Sequence, residues 1–384
     1  GVDEKESGQI FVDGKEVKIN CPMDAIKNGV VLAPEDRKKD GDRTKAGRAG
    51  GTVCIVCKKR LPLRKLDARI FPRIMKATVI IPNYRHAPYL RVRIDSVLNQ
   101  TYRDFEVIIL DDCSPDDSRE VIETYRGEPH IAHIVYNETN SGSTFRQWHK
   151  GFELAQGECI WIAESDDYAD PHFLECCMEQ FERYPDCVLA YTESRLVDAA
   201  GAPLSRELKQ AVHTARPCDL WEGEEFVRRN MLIHNVVYNA SMAVFRKSAI
   251  PSDERYTQFR MNGDWLFWCE VARRGRVAHI NSRLNFFRQH ERKVTVETLR
   301  DGSALIEIAR LYRILFEIVP LPDATRRAVI GKISRRVLRG VKGLPAGTRR
   351  AVLDAWRREY GNLFFARAWY EIYKILHLQP PFHL

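Results

Sequence analysis

The sequence predicts an α/β protein in which helices flank a central sheet. From residue 77 onward, short runs of apolar and β-branched residues alternate with amphipathic stretches of helical period. Acidic residues follow several of the apolar runs directly, and α/β sheets bind their ligands where the carboxyl ends of strands meet. The alternation predicts βα units laid on a largely parallel sheet.

The individual elements follow from the same periodicity. The predicted strands are 77–82, 105–110, 131–136, 158–163, 187–192 and 240–247. The predicted helices are 87–99, 116–125, 143–155 and one that ends near Tyr184. Residues 195–237 are less regular, a helical pattern starts again at Asp264, and the chain from 301 onward is helical and basic.

Composition restricts the class of protein and its partners. The 384 residues allow one large core or two unequal cores, and 44% hydrophobic with 29% charged residues is typical of a folded globular protein. A net charge of +8 suits an anionic partner such as a phosphorylated ligand, a nucleic acid or an anionic membrane face, and a mildly basic surface explains it equally well.

Cysteine usage and hydropathy predict a cytoplasmic location. The ten cysteines, which include the adjacent Cys176 and Cys177, lack the regular framework of a small secreted domain. No run reaches the roughly 18 apolar residues of a spanning helix, and GVDEKESGQI has no apolar signal region. We therefore expect any membrane contact to be peripheral, at the inner face of the membrane.

Three regions are predicted along the chain: an extension and linker over 1–75, a catalytic domain over 76–300 and a basic helical region over 301–384. The linker assignment rests on the polar, basic stretch from Glu35 to Lys65. Cys54 and Cys57 within it form at best half of a zinc site, so we interpret them as isolated cysteines.

Two pairs of acids follow predicted strands. Asp111 and Asp112 come after 105–110, where a carboxylate can accept the ring N–H of uracil or thymine, although a helix N-cap is equally consistent. Asp166 and Asp167 come after 158–163, where adjacent carboxylates repel each other unless a cation compensates them. Mg²⁺ or Mn²⁺ bound together with phosphate oxygens would do so, and a solvated acidic turn is the alternative.

Two later segments offer catalytic groups. Asp264 follows a glycine at the start of a helix and could take a proton from an acceptor hydroxyl, although a lone Asp there is more often an N-cap. Arg288 and His290 in FFRQH could meet phosphate oxygens or a metal ion, although each alone is more often a surface residue.

Together these segments resemble the family-2 glycosyltransferases. The similar stretches, in order between 77 and 290, are ATVIIPNYRHAPYLRVRIDSVLNQTYRDFEVIILDDCSPDDS, NETNSGSTFRQWHKGFELAQGECIWIAESDDYADPHFLE, MNGDWLFWCEVARRG and FFRQH. The resemblance implies a GT-A fold, the Rossmann-like fold of nucleotide-diphospho-sugar transferases, with a helical C-terminal extension. It also implies a metal-dependent enzyme that inverts the configuration of the transferred sugar.

The resemblance also implies roles for individual residues. Asp264 would be the general base, Asp112 would read the base with Asp111 beside it, and Trp148 would be a core residue. The nucleotide pocket and phosphate contacts would come from Pro82, Asn83, Tyr84, Arg146, Asp166 and Arg288. Asp167, with His290, would ligate Mg²⁺ or Mn²⁺.

The expected reaction moves a sugar from a UDP or dTDP donor to a hydroxyl of a glycan or lipid-linked saccharide, in cell-surface polysaccharide biosynthesis. Single addition is expected, because the Gln-x-x-Arg-Trp motif of processive synthases is absent. A non-catalytic module that binds nucleotide or glycan is the alternative, and a nucleic-acid partner is not expected, because no reading motif occurs.

The two ends of the chain carry separate expectations. The basic C-terminal helices either rest on an anionic bilayer through Trp356, Phe364, Phe365 and Trp369 or pack against the catalytic domain. Residues 9–41 resemble a fragment of the ATP-binding protein of sugar ABC importers. That fragment lacks the Gly-rich phosphate-binding loop, so ATPase activity is not expected.

Overall fold

The computed structural model describes residues 76–206, 216–290 and 301–375, with two short strands at Phe11–Val12 and Lys15–Glu16. The chain divides into two units, Gly1–Leu66 and Asp67–Leu384. Apart from the two short strands, which pair antiparallel, the segment 9–41 and the Cys54–Cys57 pair lie outside the described residues. The second unit contains every other element described below.

The second unit alternates strands and helices over most of its length. Its strands are β1 (Ala77–Asn83), β2 (Phe105–Asp111), β3 (Ile131–Tyr136), β4 (Cys159–Ile162), β5 (Tyr168–Ala169), β6 (Cys187–Val197), β7 (Cys218–Glu222), β8 (Ala243–Arg246) and β9 (Arg276–Arg288). Its helices are α1 (Ala87–Leu98), α2 (Ser118–Glu123), α3 (Thr144–Leu154), α4 (Phe173–Arg183), α5 (Gly223–Phe226), α6 (Gly263–Ala272), α7 (Ser303–Ile318), α8 (Asp323–Gly340), α9 (Ala346–Tyr360) and α10 (Leu363–Ile375).

The strands form one mixed sheet in the order β3-β2-β1-β4-β8-β6-β9-β5, with β7 paired to β9. The first four strands of this order are parallel, as predicted. Strand β8 is antiparallel to both of its neighbours, and β9 runs parallel to β6. The prediction of a largely parallel sheet is therefore confirmed for β1 to β4, which come from the βα repeats. The remaining strands form a mixed half of the sheet.

Both faces of the central strands are covered, so their residues pack alternately into two cores. On β1, Ile80 joins one core with Trp148 and Phe152 of α3, whereas Val79 and Ile81 join the other with α1. All seven positions of β1 are buried, which agrees with the apolar run at 79–82 in the middle of the strand. Helix α3 lies so close to the sheet that a Cβ on Gly151 would come within 2.7 Å of the Ile80 side chain.

The C-terminal helices pack against this α/β domain through α7. The Tyr312 hydroxyl donates to the carbonyl of Leu232 over 2.6 Å, and Glu307 accepts from the backbone N–H of Met261 and Asn262. Trp356 is buried and donates to the carbonyl of Leu305, so its expected role as a membrane anchor is wrong. Phe364 and Phe365 of α10 are exposed. Within the described residues, no helix is long and apolar enough to cross a membrane.

Candidate active site

The loops after β1, β2 and β4 converge at the carboxyl edge of the sheet. Asp112 donates its backbone N–H to the carbonyl of Asn83, and the His86 ring lies 2.9 Å from the Ser165 hydroxyl. Arg85 and Cys113 adopt left-handed φ values of 60° and 58°, so the chain turns sharply behind both strands. These loops and the strand ends before them carry most of the side chains that the sequence predicted for the site.

The nucleotide-pocket residues lie at the ends of β1 and β2. The Asn83 amide donates to Asp111 over 2.8 Å and to Ser114 over 3.2 Å, and its buried Oδ1 has no hydrogen-bond partner among the described residues. Pro82 is buried, whereas Tyr84 beside it is 40% exposed. Asn83 therefore offers a ligand one buried acceptor, and Tyr84 offers an accessible aromatic ring.

Asp112 anchors the loop that leads into α3. Its Oδ1 accepts from Asn137, the Ser141 backbone N–H and Gln147, at 2.6, 2.9 and 3.0 Å. Its Oδ2 accepts from the Ser141 hydroxyl over 2.7 Å and from Asn140 over 3.2 Å. Because five donors already occupy this carboxylate, its geometry supports a role in loop anchoring, and the predicted contact with a base stays a prediction.

Asp167 is fully buried and joins separate segments of the chain. Its Oδ2 accepts from the Asn239 amide over 2.8 Å, and its Oδ1 accepts from the backbone N–H of Arg288 over 2.9 Å. Both oxygens are thus directed at protein donors. These bonds support a structural role for Asp167, and its expected role as the direct metal ligand stays a prediction.

Asp166, the neighbouring acid, lies in the cluster that could hold a metal ion. Its Oδ2 is 3.0 Å from Nε2 of His290, and the ligand atoms of His86, Asp166 and His290 all lie within 4.8 Å of one another. Nδ1 of His290 is buried without a hydrogen-bond partner among the described residues. Two imidazoles and one carboxylate suit a divalent transition ion. This cluster contains His290, whose role as a metal ligand stays a prediction, and it contains Asp166 rather than Asp167.

The two predicted phosphate-binding arginines differ in their surroundings. Arg288 is buried, and its guanidinium donates to the carbonyls of Asp166 and Ala199 over 2.7 and 2.8 Å. It also lies over the Tyr89 ring, at 4.8 Å from the ring centroid. These contacts favour a structural role over the predicted phosphate contact. Arg146 is exposed and bonds only weakly to the carbonyl of Ser141, so it is accessible to a ligand.

Two ionisable residues, Glu164 and Arg93, hold the acidic turn after β4 in place. The Trp148 indole donates to Glu164 over 2.9 Å, and burial raises the pKa of Glu164 to about 8. The Arg93 guanidinium donates to the carbonyl of Glu164 and to the Ser241 hydroxyl, and burial lowers its pKa to about 10. Trp148 is a core residue, as predicted, and it also holds the acidic turn.

Asp264 lies in the first turn of α6 and has the environment of a general base. Burial raises its pKa to about 7, against the lowering effect of hydrogen bonds that include one from Asn235. The Asn235 amide donates to Asp264 Oδ2 over 2.9 Å. The residue keeps partial solvent exposure, and an acid with a pKa near 7 can gain and lose a proton at working pH.

One loop connects this acid to the acidic turn after β4. Asn235 bonds to Asp264, and Asn239, four residues further on, bonds to Asp167. Sequence reasoning missed both asparagines, because the loops between Arg195 and Asn262 show no motif. It also missed His86, although the position of His86 directly after β1, at the edge where ligands collect, could have indicated it.

Comparisons with known proteins match the middle of the chain to glycosyltransferases. Residues 78–251 match the family model Glycosyl transferase family 2. The putative teichuronic acid biosynthesis glycosyltransferase TuaG of Bacillus subtilis (strain 168) is 34% identical over 129 residues, which cover 34% of this chain and 50% of that protein. The chondroitin synthase of Pasteurella multocida (strain Pm70) is 31% identical over 189 residues, or 47% of this chain and 19% of that protein. The chain therefore spans at most half the length of these relatives.

A solved structure shares the fold. The crystal structure of S. aureus TarS 1–349 in complex with UDP-GlcNAc aligns with a TM-score of 0.55 and 15% identity, covering 78% of this chain and 92% of that chain. The fold is therefore GT-A with a helical C-terminal region, as the resemblance implied. The comparisons do not bear out the resemblance of residues 9–41 to an importer ATP-binding protein.

Proposed function

We propose, on the premise that residues 78–251 form a family 2 glycosyltransferase domain, that the protein transfers a sugar from a nucleoside-diphosphate donor to a hydroxyl group with inversion. Asp264 and His290 lie beyond the matched residues, so the proposed catalytic domain extends over 76–300 and the helical region over 301–384. The observation that carries the proposal is the loop that bonds Asn235 to Asp264 and Asn239 to Asp167, because it links a candidate base to a candidate diphosphate site.

The chain's own residues account for the proposed reaction. Ionised Asp264 takes the proton of the acceptor hydroxyl, whose oxygen bonds to the anomeric carbon while the bond to the diphosphate breaks on the opposite face. The nucleoside diphosphate leaves with the bonding electron pair. A divalent cation held by His86, Asp166 and His290 would supply positive charge beside the departing phosphates. Arg146 is an accessible cation at the same edge of the sheet.

The relatives support a proposal for the donor and the acceptor. We propose a UDP-sugar donor, with UDP-GlcNAc tested first, because the TarS fold that this chain shares was solved with UDP-GlcNAc. A dTDP-sugar is the alternative donor. The names of TuaG and chondroitin synthase support an acceptor hydroxyl on a cell-surface glycan or its lipid-linked precursor. A peripheral location at the inner face of the membrane, through the basic helices and exposed Phe364 and Phe365, belongs to the same proposal.

The test is release of nucleoside diphosphate from UDP-, dTDP- and GDP-sugars with Mn²⁺ or Mg²⁺, with glycan acceptors present. We expect metal-dependent release and product formation that Asp264→Asn abolishes in a folded protein. Asp117→Asn is the control, because Asp117 is exposed and makes no side-chain cap bond on α2. Donor binding without product, unaffected by Asp264→Asn, would instead support the non-catalytic binding module.

A further inference from the structure

We propose that His86 is a metal ligand, and that with His290 and Asp166 it makes the cation site prefer a first-row transition ion such as Mn²⁺ or Co²⁺ over Mg²⁺. This inference rests on the proposed function, because it concerns the cation that would accompany the donor. The sequence offered only Asp167 and His290 as ligands. The added imidazole changes the protein ligands from one oxygen and one nitrogen to one oxygen and two nitrogens.

The geometry fits a common ion. His290 Nε2 and Asp166 Oδ2 are 3.0 Å apart. Two ligands about 2.1 Å from one octahedral ion and at right angles to each other are separated by about 3 Å. The His86 ligand atom lies within 4.8 Å of the other two, and the rings of His86 and His290 meet edge to face at 5.5 Å between centroids. All three side chains are partly buried.

A hydrogen bond fixes the orientation of the His86 ring. Its Nδ1 lies 2.9 Å from the hydroxyl of Ser165, which is 1% exposed. When Nδ1 carries the proton and donates it to Ser165, Nε2 keeps its lone pair for a cation. Outer-shell bonds of this kind set the tautomer of metal-bound histidines, and their loss typically costs about 10–100-fold in metal affinity.

The backbone around His86 is also fixed. Helix α1 begins at Ala87, whose N–H donates to Asp116 over 3.1 Å. The Tyr89 ring of the same turn packs 5.3 Å from the His290 ring. The loop therefore presents His86 to the site on a rigid element, so little ordering is required when an ion binds.

The ligand set determines the preference. Mg²⁺ favours oxygen ligands and gives up its water reluctantly, whereas imidazole nitrogen suits later first-row ions. Two imidazoles and one carboxylate on one side of an ion leave the remaining positions open for phosphate oxygens and water. Such a site binds Mn²⁺ or Co²⁺ more tightly than Mg²⁺. Two of its three protein ligands are imidazole nitrogens, and His86 supplies one of them.

The experiment measures binding of Mn²⁺, Co²⁺ and Mg²⁺ to the full chain without donor, by calorimetry and by the Mn²⁺ EPR signal. We expect Mn²⁺ to bind at least about tenfold more tightly than Mg²⁺. His86→Gln should weaken Mn²⁺ binding by about 10–100-fold, and Ser165→Ala by about tenfold. His172→Gln is the matched control, since His172 is 61% exposed at its side chain, and it should leave both affinities unchanged.

Two results would overturn the inference: equal Mn²⁺ and Mg²⁺ affinities in the native chain, or an unchanged Mn²⁺ affinity in His86→Gln. His86→Asp replaces the nitrogen with an oxygen ligand and should narrow the gap between the two ions, which keeps the test decisive if the Gln variant fails to fold. The metal-binding experiment contains no donor and is therefore independent of sugar transfer. If Mn²⁺ binds through His86 but the protein transfers no sugar, only the proposed function is contradicted. Sugar transfer that tolerates His86→Gln, with equal metal affinities, would contradict only this inference.

Discussion

Asn235 donates a hydrogen bond to Asp264 across 2.9 Å, although 29 residues separate them in the chain. The bond favours the ionised carboxylate and opposes the effect of burial, which raises the pKa of Asp264 to about 7. One asparagine therefore tunes the proposed base. The same loop reaches Asp167 through Asn239, so base and acidic turn share one support.

Removing the Asn235 amide should move the pH dependence of the reaction. In Asn235→Ala the carboxylate loses a donor, so the pKa of Asp264 should rise and the acidic limb of the kcat profile should shift to higher pH. We expect a shift of about half to one pH unit, which corresponds to about a two- to fivefold loss of kcat at pH 7. Asn362→Ala, in the exposed turn before α10, is the control, and an acidic limb at the same pH in Asn235→Ala would refute the coupling.

Replacing the base itself should remove the reaction and leave donor binding. A positioned general base contributes about 10²–10⁴-fold, so Asp264→Asn should lower kcat by that factor while the Kd for UDP stays within about twofold. Steady-state turnover and calorimetry with UDP measure the two quantities. A kcat within tenfold of the native value would assign the base to another residue.

The same substitution should stabilise the fold above neutral pH. The pKa of Asp264 is about 7 in the folded state against a model value of 3.8, so between these values the folded chain binds more protons than the unfolded chain. Stability from this group therefore falls as pH rises from about 4 to 7. Asp264→Asn should be more stable than the native chain at pH 8, by on the order of 1 kcal/mol, with the difference vanishing near pH 4. Thermal unfolding of both proteins at pH 4 and pH 8 measures this difference, and a difference that is the same at both pH values would contradict the prediction.

The two acids of the turn after β4 should behave differently. Asp166→Asn should abolish Mn²⁺ binding with little change in unfolding temperature, because Asp166 belongs to the partly buried group of candidate metal ligands. Asp167→Asn should instead lower stability by about 1–3 kcal/mol, because its buried oxygens accept from Asn239 and the backbone of Arg288. Measuring metal affinity and urea unfolding on both variants separates the roles. Loss of Mn²⁺ binding in a stable Asp167→Asn would restore the assignment made from sequence.

Asp112 should act on donor binding through its loop. Asp112→Ala leaves five donors without their acceptor, so residues 137–143 should exchange amide hydrogens faster and the Kd for UDP should weaken by about tenfold or more. Asp117→Ala, on the exposed start of α2, is the control. Normal exchange over 137–143 in Asp112→Ala would show that the loop is held by other contacts.

Local sequence determined the βα half of the fold. The runs that became β1, β2, β3 and β4 are short, apolar and separated by amphipathic helices, and both strand and helix periods are local properties of the chain. The acids at the strand ends were visible for the same reason. Strand β9 was not predicted, because its sequence RVAHINSRLNFFR mixes polar and apolar residues. In the structure it pairs with β6 on one side and with β5 and β7 on the other.

Tertiary structure alone decided which residues meet. Asp166 and Asp167 are adjacent and chemically identical in the sequence, but they project toward different surroundings, so one reaches His86 and His290 and the other is buried against Asn239 and Arg288. His86 and His290 are 204 positions apart and approach only because their loops share one edge of the sheet. Sequence pattern carries the periodicity that buries apolar side chains, whereas the contacts of polar groups depend on distances that only the folded chain fixes.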